Sequence, residues 1–321
     1  MKILVQIARI IVGVLFIFSG FVKLVDPIGS QYKFEEYFSE GVLNLEFLIP
    51  YALPFAVFLI ISEIVLGFAL LVGWKAKFTV GSLKIMILVF LFLTWYSAYY
   101  DKVTDCGCFG DAIKLKPWET FYKDVILTLL IFFIGFKIYW IKPVLPKSNP
   151  GFVVFLSLLI SSTITYYVLV HLPIIDFRAY AIGKNIPEGM VYKDDGEIPP
   201  VYDFFLEDAQ NDLASKILKM DKVMLVIMSS LEKSDYIAFP EVKVFAQKAL
   251  KKGYKVYGVS ASFSEIIQLT TEKFELPFEF LFCDETTLKT MIRANPGIMI
   301  LNKGTVTEKK NWRDIEDIEL L

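Results

Sequence analysis

Cys106, Gly107 and Cys108, within Thr104-Asp105-Cys106-Gly107-Cys108-Phe109-Gly110-Asp111, carry the clearest chemical signal in the chain. Two cysteines this close form a disulfide in an oxidising compartment, and the glycine between them supplies the backbone angles that so small a ring demands. A strained ring is easily reduced, which suits thiol-disulfide exchange with a partner thiol better than it suits a structural staple. Asp105 and Asp111 disfavour a thiolate here, whereas Lys102 and Lys114 favour one, so the sequence leaves the balance open. Two cysteines cannot complete a tetrahedral zinc site, and His171 is the only histidine in the chain, so no metal is expected. A cysteine pair that only braces its loop is the competing reading.

The elements that hold this loop are legible from hydropathy. The chain has 321 residues, is 55% hydrophobic and has a mean hydropathy of +0.53, while its net charge of -2 predicts no nucleic-acid partner and makes the bilayer the first partner to consider. The apolar excess sits in residues 1–175, and residues 176–321 have the charge distribution of an ordinary globular domain. A span needs about 20 apolar residues. Five windows qualify, roughly Ile3–Val25, Phe47–Gly73, Phe78–Tyr99, Phe121–Ile141 and Gly151–Leu172, and the first is read as a retained span rather than a cleaved leader.

Positive residues resist translocation, and Lys2, Arg9, Lys75, Lys77, Lys137, Lys142 and Lys147 fall on one side, expected to be cytoplasmic. The cysteine loop and everything after residue 173 then lie outside. Lys33, Lys102, Lys114 and Lys116 on the outer loops weaken this bias. Trp and Tyr residues near the span ends suit the headgroup zone.

Two charges lie mid-span, Glu63 and Lys84, and an ionised group facing lipid costs at least about 2.5–3.5 kcal/mol. Both are expected to face the bundle interior and to pair, since Glu63 stands ~15 Å and Lys84 ~9 Å from the turn between their helices, a gap that a lysine stem covers. Lys23, near the end of its span, is expected to snorkel outward. No cofactor is evident; a quinone or proton site at Glu63 is conceivable, but no ring-binding motif supports it.

Taken together, the opening helix Arg9-Ile10-Ile11-Val12-Gly13-Val14-Leu15-Phe16-Ile17-Phe18-Ser19-Gly20-Phe21-Val22-Lys23-Leu24 and the Cys-Gly-Cys-Phe-Gly segment before the fourth span resemble the DoxX family, and more specifically its MauE-type members. The resemblance covers about residues 1–145. It implies a four-helix membrane bundle, here followed by a fifth span in 146–181, and for the MauE type a role in disulfide chemistry during maturation of periplasmic methylamine dehydrogenase. Nothing in this chain identifies that client.

From Ile182 the pattern alternates strands and amphipathic helices in the order βαβαβαββα, closing on a short helix near Asp314–Leu321. That order, with Asn295-Pro296-Gly297 before the Ile298–Asn302 and Val306–Lys310 hairpin, resembles the thioredoxin superfamily over roughly residues 185–321. The resemblance implies a cis bond at Asn295-Pro296 and a partner-binding site at these two residues. A thioredoxin has Cys-x-x-Cys after its first core strand; this chain has Ser229-Ser230-Leu231-Glu232-Lys233-Ser234, so no thiolate nucleophile comes from that position. Cys283 reads as a buried structural cysteine and His171 as an interfacial residue.

The expected whole is an inner-membrane α-helical bundle carrying an extracytoplasmic α/β thioredoxin-like domain. Cys106 and Cys108 exchange electrons with extracytoplasmic protein thiols or a disulfide client, and the outer domain recruits that partner. The alternative is a non-enzymatic, membrane-anchored assembly factor whose cysteine pair is structural.

Overall fold

Long apolar runs punctuated by glycine and proline fold as antiparallel helices in the computed structural model, which describes residues 1–103, 107–113, 115–143, 149–192 and 198–321. The described chain divides into two units, Met1–Leu169 and Val170–Leu321.

The first unit is helical. α1 (Lys2–Leu24) is followed by α2 (Pro27–Phe38), which starts because Asp26 accepts from Gly29 N at 3.1 Å and Pro27 fits the first helical position. The hydropathy windows place no element between residues 25 and 47. A 3-10 turn (Glu46–Tyr51) then leads into α3 (Ala52–Val72), which ends where Gly73 takes a φ of 76°. α4 (Ala76–Tyr100), α5 (Pro117–Phe136) and α6 (Pro150–Val170) complete the unit. α1 and α3 cross closely at two glycines: a Cβ on Gly67 would stand 3.0 Å from Gly13 O and 3.2 Å from Ile17 N. Val12, Phe16, Leu70, Leu83, Ile87 and Ile131 fill the core between α1, α3, α4 and α5.

Lys2–Leu24, Glu46–Val72, Ala76–Tyr100 and Pro150–Val170 are long and apolar enough to cross a membrane. The outward faces of these helices expose many large apolar side chains, Ile7, Phe58, Phe92 and Phe155 among them, as a protein solvated by lipid does. The chain is a multi-pass membrane protein. The fourth expected span, α5, does not qualify among the described residues by composition, because Glu119, Lys123 and Asp124 occupy its first half. It nevertheless packs on α1 and α4 and exposes Ile126, Leu129 and Phe136, while Asp124 is buried. Its charge therefore faces the bundle interior and its apolar side faces outward, so hydropathy averaged over the window hides the division between the two faces.

The second unit is α/β. A single-turn α7 (Ile186–Gly189) and α8 (Ala214–Ile217) precede the sheet. It consists of β1 (Val223–Met228), β2 (Lys255–Ser260), β3 (Glu279–Phe282), β4 (Gly297–Asn302) and β5 (Thr305–Asn311) in the order β3-β2-β1-β4-β5. β1, β2 and β3 are parallel, and β4 and β5 are antiparallel to their neighbours. Every residue of β1 is buried, as a central strand covered on both faces requires. α9 (Phe239–Lys251), α10 (Ser264–Phe274) and α11 (Glu285–Met291) make the crossovers. Lys303 and Gly304, at φ 47° and 76°, close the β4–β5 hairpin at the turn that the sequence places there. The closing helix expected near Asp314–Leu321 is instead a 3-10 turn over Trp312–Asp317.

Candidate functional site

Helices α1, α2, α4 and α5 border the cysteine loop. Cys106 lies outside the described residues, as do Thr104 and Asp105. Gly107 has a φ of 64° and lies against the Lys33 side chain, where a Cβ would come within 3.0 Å of Lys33 Cγ. Cys108 is half-buried. The next residue, Phe109, anchors the loop: it is buried, its ring centroid lies 5.6 Å from that of Phe18, and Lys123 Nζ stands 4.7 Å from it.

A hydrogen-bonded chain runs from this loop into the bundle. Ser19 Oγ donates to Cys108 O at 2.9 Å, Lys23 Nζ donates to Ser19 Oγ at 2.8 Å, and the same ammonium meets Glu63 Oε1 and Oε2 at 2.6 and 2.8 Å. Lys23 is 5% exposed and Glu63 is fully buried. The expected partner of Glu63 was Lys84; the structure pairs it with Lys23. Helical rotation explains the difference, because equal height along two helices does not make two side chains face one another. Lys84 points instead toward α5, where its Nζ lies 4.9 Å from the Phe132 ring centroid and 6.0 Å from that of Phe136. Lys23, expected to snorkel outward, turns inward because a buried carboxylate without a counter-charge is far costlier than a buried pair.

A second ion pair lies beside the first. Lys123 Nζ is 3.0 Å from Asp124 Oδ1, and Asp124 is 1% exposed. Apart from that ionic contact, neither Asp124 oxygen accepts a well-formed hydrogen bond. Ser19, Phe90, Cys108, Phe109, Lys123 and Asp124 line a cavity of about 20 Å³. A neighbouring apolar cavity of about 50 Å³ is bordered by Lys23, Lys33, Phe34, Tyr37, Phe90 and Cys108. Cys108 is common to both. The hydropathy window Phe121–Ile141 averages over Lys123-Asp124, two adjacent opposite charges in an otherwise apolar stretch that mark an interior position.

At the far end of the same unit, Arg9 closes the C-terminus of α3. Its Nε and Nη2 donate to Leu70 O and Leu71 O, both at 2.7 Å, and Nη1 donates to Lys142 O at 3.1 Å. Lys75, Lys77, Lys137 and Lys142 gather at this end, opposite Cys108.

In the second unit, the Asn295-Pro296 bond is cis. Asn295 binds the turn that follows β1: Asn295 Nδ2 donates to Ser230 O at 2.8 Å, Ser234 Oγ donates to Asn295 Oδ1 at 2.9 Å, and Asp235 N donates to Asn295 O at 3.2 Å. Glu232 Oε2 accepts from Ser230 Oγ at 2.7 Å and from Ser262 Oγ at 2.8 Å, and these bonds, led by backbone donation at Glu232, hold its carboxyl below the usual range. Hydrogen bonds thus occupy the place where a thioredoxin carries its dithiol. Cys283 is fully buried, and burial, helped by Asp284, pushes its thiol up to about 12. It is no nucleophile at neutral pH. His171 Nδ1 lies 2.7 Å from Asp314 Oδ1, a link between the start of this unit and its end.

Comparison with known proteins agrees with this division. Residues 1–137 match the family described as methylamine utilisation protein MauE. Over 237 residues the chain is 22% identical to Protein TlpB of Flavobacterium psychrophilum, a stretch that covers 70% of this chain and 56% of TlpB, so the chain accounts for little more than half of that relative's length. The membrane unit is thus similar to MauE over residues 1–137, and the second unit, with its mixed five-stranded sheet and cis Asn295-Pro296 bond, has a thioredoxin-like fold.

Proposed function

We propose that this protein carries out thiol-disulfide exchange on the extracytoplasmic side of the membrane through Cys106 and Cys108, and that its thioredoxin-like domain recruits the partner without catalysing. The observation that carries this reading is the seat of Cys108. It borders two cavities at the head of the bundle, and a hydrogen-bonded chain through Ser19 and Lys23 reaches the buried Glu63. A purely structural loop has no need of the buried Lys23–Glu63 pair and the buried Asp124 carboxylate behind it.

The orientation follows from charge. The lysines at the Arg9 end suit the cytoplasm, and an odd count of five crossings, α5 included, supports an outer position for both the Cys108 end and the second unit. In the exchange, a partner thiolate attacks one sulfur of the Cys106–Cys108 disulfide. The intramolecular S–S bond breaks, a mixed disulfide forms, and the departing cysteine takes up a proton. A second partner thiolate then attacks the mixed disulfide, leaving an oxidised partner and a Cys106/Cys108 dithiol. A second protein disulfide accepts the two electrons and restores the pair. The second unit suits a recruiting role because the turn after β1 has no cysteine and is closed by its own hydrogen bonds.

The test is trapping in intact cells. Cys106→Ser should leave Cys108 held in a mixed disulfide with a partner, or Cys108→Ser should do the same through Cys106. If neither variant traps a partner and both support normal growth of the host, the pair is a brace and the assembly-factor reading takes its place.

A further inference from the structure

A lysine-aspartate pair inside an apolar bundle is expensive, and apolar residues of similar size hold such a position at least as well. Lys123 and Asp124 therefore call for a reason beyond packing. Asp124 is 1% exposed, and neither of its oxygens accepts a well-formed hydrogen bond. Lys123 Nζ is 3.0 Å from Asp124 Oδ1 and lies over the ring of Phe109, the residue next to Cys108. Ammonium, carboxylate and cysteine share one cavity of about 20 Å³, large enough for one water.

The charged groups facing Cys108 can be taken helix by helix. α1 contributes Lys23, held by both oxygens of Glu63 from α3 and bonded to Ser19. α2 contributes Lys33, paired with Glu36 at 2.9 Å, and Tyr37, whose hydroxyl is hydrogen-bonded to Ser97 at 3.1 Å. α4 contributes Thr94, which does not titrate. α5 contributes Lys123 and Asp124. Among these cations Lys123 is the one that lines the smaller cavity with Cys108 and Asp124, whereas Lys23 and Lys33 line the larger one.

We infer that Lys123 is the cation that stabilises the Cys108 thiolate when that sulfur is the leaving group or the attacker, and that Asp124 is a positioning residue that holds the ammonium in place and tempers its charge. The inference deepens the exchange reading and rests on it. In the thiol state the ammonium is balanced by Asp124. When Cys108 becomes a thiolate, the cation lies between two anions and offsets both, which in a low-dielectric cavity is worth far more than in water.

The two neighbours therefore have opposite effects, which a merely structural pair would not. The full-length protein in native membranes, carrying Cys106→Ser so that Cys108 is the thiol being read, is alkylated with iodoacetamide over about pH 6 to 10, the range in which thiols titrate. The Cys108 peptide is quantified by mass. Lys123→Met moves the midpoint of the rate profile up by about one to three pH units, the span expected for loss of an adjacent opposite charge, and Lys123→Arg leaves it near the starting value. Asp124→Asn, close to isosteric, moves the midpoint down. Cys283 stays unlabelled throughout, which reports that the second unit remains folded. Midpoints that stay put, or that move the same way in Lys123→Met and Asp124→Asn, overturn the assignment. A partner trapped through Cys108 alongside unmoved midpoints removes the role of Lys123 and leaves exchange standing. Opposite shifts with no partner ever trapped support the role of Lys123 and count against exchange.

Discussion

Lys23 and Glu63 show what a buried charge demands of its surroundings. Each would be prohibitively costly alone in the bundle; together, with Ser19 as a third partner, they form a closed polar unit. Removing one member leaves the other unpaired, at a cost of about 3–5 kcal/mol, whereas removing both in favour of apolar residues is close to neutral. Lys23→Met and Glu63→Leu should each lower the thermal midpoint of the detergent-solubilised protein, and the double variant should recover most of the loss. Additive losses in the double variant would contradict the pairing. At this scale the sequence disclosed which residues are polar but not which of them meet. Cys106-Gly107-Cys108 was legible because its geometry is local. Lys23–Glu63 was not, because the partners are 40 positions apart and their meeting depends on the rotation of two helices. Lys123-Asp124 went unnoticed because window-averaged hydropathy discards the very contrast that marks an interior charge.

Among the elements, the crossing of α1 and α3 sets how the bundle closes. Gly13 and Gly67 let the two backbones approach, and a Cβ on Gly67 would meet backbone atoms at 3.0 and 3.2 Å, which cannot move aside as a side chain can. Gly81 on α4 lies in the same unit with nothing within 4 Å of the position a Cβ would take. Gly67→Val should therefore sharply reduce the yield of monodisperse protein on size exclusion, while Gly81→Val leaves it unchanged. Equal yields would remove the close crossing from the account. The strands and crossover helices of the second unit were readable from periodicity, since β1 is continuously apolar and the Lys303-Gly304 turn has its own local signature. α2 was hidden because its start rests on one Asp26 side-chain bond in an otherwise polar stretch, and the chain end was misread because its apolar spacing fits a 3-10 turn as well as an α-helix.

For the molecule as a whole, composition alone separated a lipid-solvated half from a water-solvated one, and the structure keeps that division. The proposed chemistry lies in the α4–α5 loop of the membrane unit, while the thioredoxin-like unit has the cis-proline and carries serines and a glutamate where a thioredoxin has its dithiol. If Cys106 and Cys108 exchange as proposed, they cycle between dithiol and disulfide in an oxidising medium, and their redox state in the native membrane reads this out. Intact cells are quenched with acid, the free thiols are alkylated, and the masses of the cysteine peptides are read before a pulse of external reductant, during it and after washout. The expected result is a pair found in both states, driven to the dithiol by reductant and restored afterwards, with Cys283 reduced at every point. A pair that stays a dithiol under all three conditions would contradict it.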